Sequence, residues 1–270
     1  MPTPLAGATA LLTGGSQGIG PFIARALAAE RVNLALAARS AGKLEEVARD
    51  IAALGVRCVA VPADVTSAAD RDRLVDEVER ALGPVDILVN NAGLEHGGRF
   101  VTRAPEEIAQ VVETNVQAPM LLARRVLPGM IARGRGHVVN IASLAGKVGY
   151  PYAAVYGGTK AALIAWGNAL RIELEGTGVS VTTVSPGYVK DAGMFAAHYV
   201  KPPAALGETT PDAVARAVVR ALQEDPIGID VSPRPFWAVQ VLFAVAPRQT
   251  LAAFRRLGAF DYMKSMLDKE

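Results

Sequence analysis

The strongest constraint on the fold is a regular alternation of short apolar segments with amphipathic helical segments along most of the chain. Residues 85–89 read VDILV, a largely apolar run typical of a strand that is covered on both faces of a parallel sheet. Between such runs, apolar side chains recur at helical spacing, as Leu44, Ala48 and Ile51 do. This βαβα order, without a break in composition, predicts one doubly wound parallel α/β sheet with helices on both faces.

Seven strands and six helices are predicted from these patterns. The predicted strands are residues 8–12, 32–37, 57–61, 85–89, 137–141, 179–184 and 227–231. The predicted helices are residues 21–30, 41–54, 68–82, 105–133, 152–175 and 211–223. We expect residues 1–233 to form a single Rossmann-like domain around this sheet. We expect residues 234–270 to form a helical extension packed on that domain.

Composition argues against several classes of protein. The net charge of +2 and the lack of a Lys/Arg run argue against nucleic-acid binding. Cys58 is the only cysteine and the three histidines are scattered, so neither a disulfide nor a metal site is expected. The first residues lack the pattern of a signal peptide, and the longest apolar run, residues 236–246, is too short to span a bilayer. A cytoplasmic protein is therefore expected.

Tyr156 and Lys160 are spaced so that, on a helix, their side chains would share one face about 5–6 Å apart. A free tyrosine, with a pKa of about 10, exchanges protons poorly at neutral pH. One cation at about 4 Å, in an effective dielectric of about 20, would supply roughly 4 kcal/mol in favour of the phenolate. The spacing predicts a tyrosine tuned for proton transfer, although this four-residue pattern also occurs by chance.

A glycine-rich turn follows the first predicted strand and opens the first predicted helix. It reads TGGSQGIG over residues 13–20. Glycines permit a tight turn and let a diphosphate approach the backbone at the positive end of a helix dipole. This context favours a dinucleotide site over a turn without a ligand. The residues expected to line it are Gly14, Ser16, Gln17, Gly18, Ile19 and Gly20.

With these motifs the chain resembles a short-chain dehydrogenase/reductase of the common type of roughly 250 residues. The resemblance rests on several motifs that appear in the order and at the spacing of that family, between about residues 8 and 190. They are the glycine turn, Asp64-Val65, the sequence NNAG at 90–93, Asn115, Ser143, Tyr156-x-x-x-Lys160 and Pro186-Gly187. The resemblance implies an oxidoreductase that acts on CH–OH and C=O groups.

The resemblance also implies a role for each of these residues. Tyr156 would be the general acid in carbonyl reduction and the general base in alcohol oxidation, with Lys160 lowering its pKa and binding the nicotinamide ribose. Ser143 would hold the substrate oxygen, and Asn115 a water that links Lys160 to solvent. The remaining cofactor contacts would come from Asp64, Val65, Asn91, Ala92, Gly93, Pro186, Gly187 and Val189.

The end of the second predicted strand indicates which cofactor is used. It reads Ala38-Arg39-Ser40, and the next acid, Glu45, falls inside the following helix. NAD sites of this architecture usually place an acid here to hold the ribose 2′-hydroxyl. A guanidinium instead holds a 2′-phosphate through paired, charge-assisted hydrogen bonds. We therefore predict NADP(H) in preference to NAD(H), with Arg39 and Ser40 as contacts.

Apolar side chains are expected around the substrate, which predicts a lipophilic ketone or aldehyde. They are Leu94, Leu144, Tyr150, Tyr188, Met194 and Phe195. Ordinary core packing is the alternative for several of them. One position departs from the family pattern, because Asp191 stands where many relatives carry a threonine that contacts the carboxamide.

The C-terminal segment also departs from the commonest bacterial members of the family. It contains FWAVQVLFAVAP from residue 236, followed by a basic helical stretch over residues 248–269. Three arrangements remain open: a lid over the pocket, a surface between subunits of a homodimer or homotetramer, or a helix on a membrane surface. Packing against the domain or another subunit is favoured, and peripheral membrane contact is kept as an alternative.

Three other functions compete with an NADP(H)-dependent carbonyl reductase. One is an NAD-dependent alcohol dehydrogenase. Another is a non-catalytic nucleotide-binding regulatory protein on the same fold, which would have no need of an activated phenol. The third is a sugar-nucleotide epimerase or dehydratase, for which the chain leaves little room for a substrate domain.

Overall fold

The protein is described by a computed structural model that covers residues 3–194, 202 and 207–267. Its centre is a sheet of seven parallel strands in the order β3-β2-β1-β4-β5-β6-β7. The strands are β1 Thr9–Thr13, β2 Asn33–Ala38, β3 Cys58–Pro62, β4 Ile87–Asn90, β5 Gly136–Ile141, β6 Val179–Pro186 and β7 Gly228–Val231. All seven predicted strands are confirmed, and no end is displaced by more than two residues.

Helices cover both faces of the sheet. Those of the main body are α1 Gly20–Ala29, α2 Ala41–Ala52, α3 Ala68–Leu82, α4 Pro105–Val112, α5 Ala118–Ala132, α6 Ala154–Glu173 and α7 Pro211–Glu224. The first turn of α7 is stabilised as its sequence predicts, because the Thr210 hydroxyl accepts a hydrogen bond from the Ala213 backbone nitrogen at 3.2 Å.

Two apolar clusters fill the spaces on either side of the sheet. Leu11 and Leu88 belong to one, with side chains of α3 and α5, whereas Leu12 and Val89 belong to the other, with side chains of α1, α2 and α7. Successive residues of a strand point to opposite faces, so each strand contributes to both clusters. This explains why the strands appear in the sequence as nearly continuous apolar runs.

The order of the strands fixes where a ligand can bind. The chain runs outward from β1 to β3, then crosses back to β4 on the other side of β1. Open parallel sheets bind ligands at the carboxyl ends of the strands beside such a reversal. The loops after β1 and β4 carry the glycine turn and the NNAG sequence, so both motifs lie at this edge.

The helix predicted over residues 105–133 is interrupted. A single π-helical turn, Glu113–Gln117, separates α4 from α5. A π turn inserts one extra residue and so changes the direction in which its side chains point, which is frequent at functional sites. Asn115 lies in this turn and is fully buried.

Three further helices follow β7. They are α8 Trp237–Val245, α9 Pro247–Arg256 and α10 Ala259–Leu267. Within α10, Tyr262 and Met263 are buried against the main body, whereas α8 has no buried residue. Among the residues the structure describes, no helix is long and apolar enough to cross a bilayer.

Candidate active site

The glycine turn after β1 leaves no room for side chains at two of its positions. Gly14 has a φ of +67°, and a Cβ there would lie 2.9 Å from the Cα of Ala92. At Gly20 a Cβ would collide with the carbonyl oxygen of Gly14. The turn therefore folds back on itself and against the NNAG loop, which brings backbone amides to the surface of the cleft.

Hydrogen bonds join the glycine turn to the NNAG loop. The Thr13 hydroxyl accepts hydrogen bonds from the backbone nitrogens of Asn91 and Ala92 at 3.0 and 3.1 Å. The Asn91 side-chain nitrogen donates to the carbonyl oxygens of Thr13 and Gly14 at 2.9 and 3.1 Å. Two loops separated by some 75 residues of sequence are thus held as one surface.

This surface suits a dinucleotide in two respects. Helix α1 begins after Ile19 without a side-chain cap, so its first amides are available to an anion at the positive end of the helix dipole. In addition, Asn91 Oδ1 is buried and has no hydrogen-bond partner among the described residues, as expected of an atom that a ligand satisfies. Ser16, Gly18 and Ile19 are half-buried in the turn, and Gln17 is exposed.

The positions expected to contact the adenosine half lie beside this turn. The Gly15 backbone nitrogen donates to Ala37 O at 3.2 Å, which places the end of β2 next to the glycines. Arg39 and Ser40 follow directly and are exposed. At the end of β3, the Asp64 carboxylate accepts hydrogen bonds from the Thr66 backbone and hydroxyl at 2.9 and 2.7 Å, and Val65 is buried in the core.

Asn115 is fixed by three hydrogen bonds. Its Oδ1 accepts from the Leu94 backbone nitrogen at 2.8 Å, and its Nδ2 donates to the Leu94 carbonyl oxygen at 2.8 Å. Nδ2 also donates to Thr159 Oγ1 at 3.1 Å, and that hydroxyl donates to Tyr156 O at 2.7 Å. In this structure the amide of Asn115 therefore fixes the loop after NNAG to the helix that carries Tyr156.

Ser143 faces Tyr156, and its hydroxyl lies close enough to lower the pKa of the phenol. Ser143 follows β5, and its Oγ is held by the Ala145 backbone nitrogen at 3.1 Å and donates weakly to Pro186 O at 3.4 Å. A carbonyl oxygen placed between these two hydroxyls would receive two donors, which is the arrangement that stabilises developing alkoxide charge.

Lys160 is buried one helical turn from Tyr156. Its Nζ donates to Ile141 O at 2.9 Å and lies 5.6 Å from the centroid of the Tyr156 ring. A Cβ added to Gly93 would lie 3.5 Å from this nitrogen and 3.5 Å from Asn115 Oδ1. Lys160, Asn115 and the NNAG loop therefore converge on one point beneath the cleft.

The pKa values of this pair differ from the sequence-based expectation. Burial raises the pKa of Tyr156 well above its usual value, the Glu95 carboxylate raises it further, and the Ser143 hydrogen bond lowers it. Burial also lowers the pKa of Lys160 to about 8, an effect that Glu95 opposes. Lys160 is not what sets the pKa of Tyr156 here, because its ammonium is directed to Ile141 O rather than to the phenol oxygen.

The loop after β6 forms the far side of the cleft. The Gly187 backbone nitrogen donates to Val231 O at 3.0 Å, and Val189 pairs with Thr209 in a single bridge. Asp191 has a φ of +66° and is exposed. A left-handed backbone strains a β-branched side chain, whereas aspartate tolerates it, so a threonine would fit this position poorly.

The expected substrate-side residues fall into three groups. Leu144 and the half-buried Leu94 lie beside Ser143 and the NNAG loop. Tyr150 and Tyr188 pack in a cluster with Tyr262 and Met263. Met194 is exposed, and Phe195 lies outside the described residues.

Two contributors to the site were not assigned from the sequence. The rings of Tyr262 and Tyr188 pack edge to face with centroids 5.6 Å apart, and the Tyr188 hydroxyl donates to Met263 Sδ at 3.3 Å. The apolar spacing of Ala259, Tyr262 and Met263 was the available signal. The other is Glu95, whose carboxylate raises the pKa values of Tyr156 and Lys160. Its position just after the NNAG sequence did not indicate this electrostatic effect.

Comparison with known proteins agrees with this geometry. A family model described as short chain dehydrogenase matches residues 8–201. The chain is 40% identical over 265 residues to "Ketoacyl reductase HetN" of Nostoc sp.. That alignment covers 96% of this chain and 92% of the relative. A crystal structure of a variant of actinorhodin polyketide ketoreductase with NADPH has a TM-score of 0.77 and 33% identity, and covers 86% of this chain and 98% of that one.

Proposed function

The chain belongs to the short-chain dehydrogenase family, and from that premise we propose that it is an NADP(H)-dependent reductase of lipophilic ketones. The observation that carries this proposal is the grouping of Ser143 and the buried Lys160 around Tyr156, with the Lys160 ammonium 5.6 Å from the Tyr156 ring and the Ser143 hydroxyl near enough to lower the pKa of the phenol. A regulatory protein that only binds a nucleotide would have no use for two hydroxyls aimed at one oxygen.

The direction of proton transfer follows from the pKa of Tyr156. Because burial and Glu95 raise that pKa, the phenol is protonated at neutral pH and is prepared to donate a proton. The Tyr156 hydroxyl gives its proton to the carbonyl oxygen, while the Ser143 hydroxyl holds that oxygen in place. When bound, the cofactor supplies the hydride that reduces the carbonyl carbon.

Lys160 has two tasks in this scheme. Its ammonium, held beneath the cleft by Ile141 O, is available to the hydroxyls of a nicotinamide ribose. It also lies close enough to the Tyr156 ring to help return a proton to the phenolate after each turnover. Both tasks require Lys160 to be protonated, and its pKa of about 8 keeps it largely so at neutral pH.

NADP(H) is preferred in this proposal because Arg39 and Ser40 occupy the end of β2. Both side chains are exposed beside the glycine turn, where a ribose 2′-phosphate would lie. Within reach of the end of β2 the sequence has no acid before Glu45, so nothing there repels a phosphate. The similar ketoreductase structure contains NADPH, which agrees with this preference.

A ketoacyl group is the substrate class that best fits the pocket side. Tyr150, Tyr188 and Leu144 offer apolar surface next to the Ser143–Tyr156 pair. The relative that covers nearly the whole chain is named a ketoacyl reductase, and the similar structure is a polyketide ketoreductase.

The test is an assay of NADPH and NADH oxidation with ketoacyl thioesters of increasing chain length, and with a small polar ketone for comparison. We expect turnover to rise with chain length and the KM for NADPH to be lower than that for NADH. Arg39→Ala should raise the KM for NADPH about tenfold, because it removes one charge-assisted hydrogen bond. The KM for NADH should not change.

Arg49→Ala is the matched control, since this exposed arginine lies on α2 but away from the end of β2. A lower KM for NADH that is insensitive to Arg39→Ala would refute the NADP(H) preference. Turnover of the small ketone alone would refute the substrate class and leave the reaction class intact.

A further inference from the structure

The outward face of α8 is an apolar surface that the proposed reaction does not use. Trp237, Val241 and Val245 are 65, 52 and 74% exposed. Residues four apart on a helix lie on the same face, so these side chains form one row. Single exposed apolar residues are common, but a continuous row that includes a tryptophan marks an interaction surface.

Polar contacts hold another side of this helix. Gln240 is the one polar residue of α8, and its Nε2 donates to Asp230 Oδ2 on β7 at 3.3 Å. The row of Trp237, Val241 and Val245 is thus left facing water in the part of the chain that the structure describes.

Basic residues continue this surface onto α9, which begins two residues after α8 ends. Arg248, Arg255 and Arg256 are exposed and lie on one face of α9 by their spacing, while Thr250 is buried on the other. Over residues 232–265 the sequence has five basic residues and a single acid, Asp261. The segment that carries the apolar row therefore has an excess of positive charge.

We propose that the apolar row of α8 and the arginine face of α9 bind the surface of a bilayer that contains anionic lipid. A nine-residue helix is too short to span a membrane, but it can lie in the interface with its apolar side chains at the boundary between headgroups and acyl chains. Arginines beside it gain from the negative surface potential of such a membrane.

A second copy of the chain fits this surface less well. In a two-fold dimer the same patch of both copies forms the interface, so the arginines of both would lie at it with no acid on α8 or α9 to pair with them. Like charges brought together across an interface oppose association, whereas an anionic surface complements them.

Docking in this way would serve the proposed reaction. Helix α10 follows α9 directly, and its Tyr262 and Met263 cover the pocket residues Tyr150 and Tyr188. A lipophilic ketone dissolved in the bilayer would then meet the enzyme on the side where its pocket is covered by the extension. This consequence rests on the proposed function, whereas docking itself does not.

The experiment is flotation of the full chain with phosphatidylcholine vesicles, prepared with and without phosphatidylserine, at low and high salt. We expect flotation with the phosphatidylserine vesicles at low salt and its loss at high salt. Replacing both arginines in Arg255→Gln/Arg256→Gln should weaken partitioning about 25-fold, since each contributes roughly a factor of five. Trp237→Ser should weaken it as well.

Matched controls are Ile172→Ser and Arg124→Gln, which remove an exposed apolar and an exposed basic side chain from α6 and α5. They should float like the unmodified protein. The fluorescence of Trp237 gives a second readout, for which no residue of α8 or α9 has to be replaced. The chain has two tryptophans, so in Trp166→Phe a blue shift with phosphatidylserine vesicles reports Trp237 alone.

Three results would overturn the proposal. One is the absence of flotation together with an unshifted Trp237 emission. Another is flotation that is equal for the control and surface variants. The third is a dimer in solution that becomes a monomer in Trp237→Ser without any binding to vesicles, which would assign the surface to a second copy of the chain.

Discussion

At the carboxyl edge of the sheet, Asn91 and Asn115 each hold backbone groups from a distant part of the chain, whereas α8 is joined to the sheet through the side chain of Gln240. The first region is largely buried and most of its polar atoms have fixed partners, whereas Asn91 Oδ1 has none among the described residues. The second presents apolar atoms to solvent. The difference is what we expect if the first region holds reacting groups still and the second, as proposed above, binds a surface outside the chain.

The largest effect is expected where the fixed region meets the substrate. Tyr156→Phe should lower kcat for ketone reduction about a thousandfold, because it removes the proton donor, while NADPH still binds. Stopped-flow kinetics and cofactor fluorescence measure the two properties separately. Tyr152→Phe, a change at a neighbouring tyrosine, is the control, and more than a tenth of the activity surviving in Tyr156→Phe would disprove the assigned role.

Asn115→Ala tests whether the carboxyl edge depends on its buried amide. Its loss leaves both backbone groups of Leu94 without their partner, so we expect the free energy of unfolding to fall by about 2–3 kcal/mol. Asn33→Ala removes the same chemistry at an exposed site, where the amide bonds to Gly7 O and the Arg57 nitrogen, and should cost less than about 1 kcal/mol. Equal losses in urea unfolding would contradict the contrast between buried and exposed amides.

Tyr262→Ala tests the boundary between the two regions. Removing this buried ring opens a space beside Tyr188. We expect the KM for the ketone to rise about fivefold, which corresponds to the loss of one aromatic contact. The affinity for NADPH should not change. Leu257→Ala, at an exposed residue of the same extension, should leave both constants unchanged. A weakened affinity for NADPH in Tyr262→Ala would show that α10 supports the cofactor side instead.

The smallest effect concerns pH. The Glu95 carboxylate raises the pKa of both Tyr156 and Lys160, so its removal in Glu95→Gln should lower both. Reduction requires both groups protonated, and it is therefore lost as pH rises through the lower of the two pKa values, that of Lys160 at about 8. We expect the alkaline limb of kcat/KM to move to lower pH. Glu106→Gln is the exposed control, and a shift to higher pH would contradict the assignment.

Much of the fixed region could be predicted because its signals are local. Buried parallel strands need apolar side chains on both faces, and the glycine turn needs residues without a Cβ, so both leave marks in the sequence at the place where they act. The π turn at Glu113–Gln117 leaves no such mark. The turn is stabilised by hydrogen bonds between Asn115 and Leu94, which are twenty-one residues apart in the sequence. A helical apolar pattern also continues on either side of the turn, so nothing in the local sequence marks it.

The extension was harder to predict because its environment is not encoded locally. The apolar run at residues 236–246 favoured packing against the domain or another subunit, and Leu251 and Leu257 add further apolar side chains on α9. Both leucines are exposed, and the buried residue of α9 is Thr250. The raised pKa of Tyr156 could not be predicted for a similar reason. It depends on the position of the Lys160 ammonium and on the distance of the Glu95 carboxylate, which local sequence does not determine.

One carboxylate on β7, that of Asp230, links the loop after Ser143 to the extension. Lys147, four residues after Ser143, lies with its Nζ 2.5 Å from Asp230 Oδ1, while Gln240 binds the other oxygen of the same carboxylate. Anyone who grafts the extension of a relative onto this chain would have to supply a matching donor at position 240. Otherwise Asp230 keeps only the Lys147 ammonium as a partner, and the graft changes the contacts that position the loop carrying Ser143. The extension is thus not an interchangeable module.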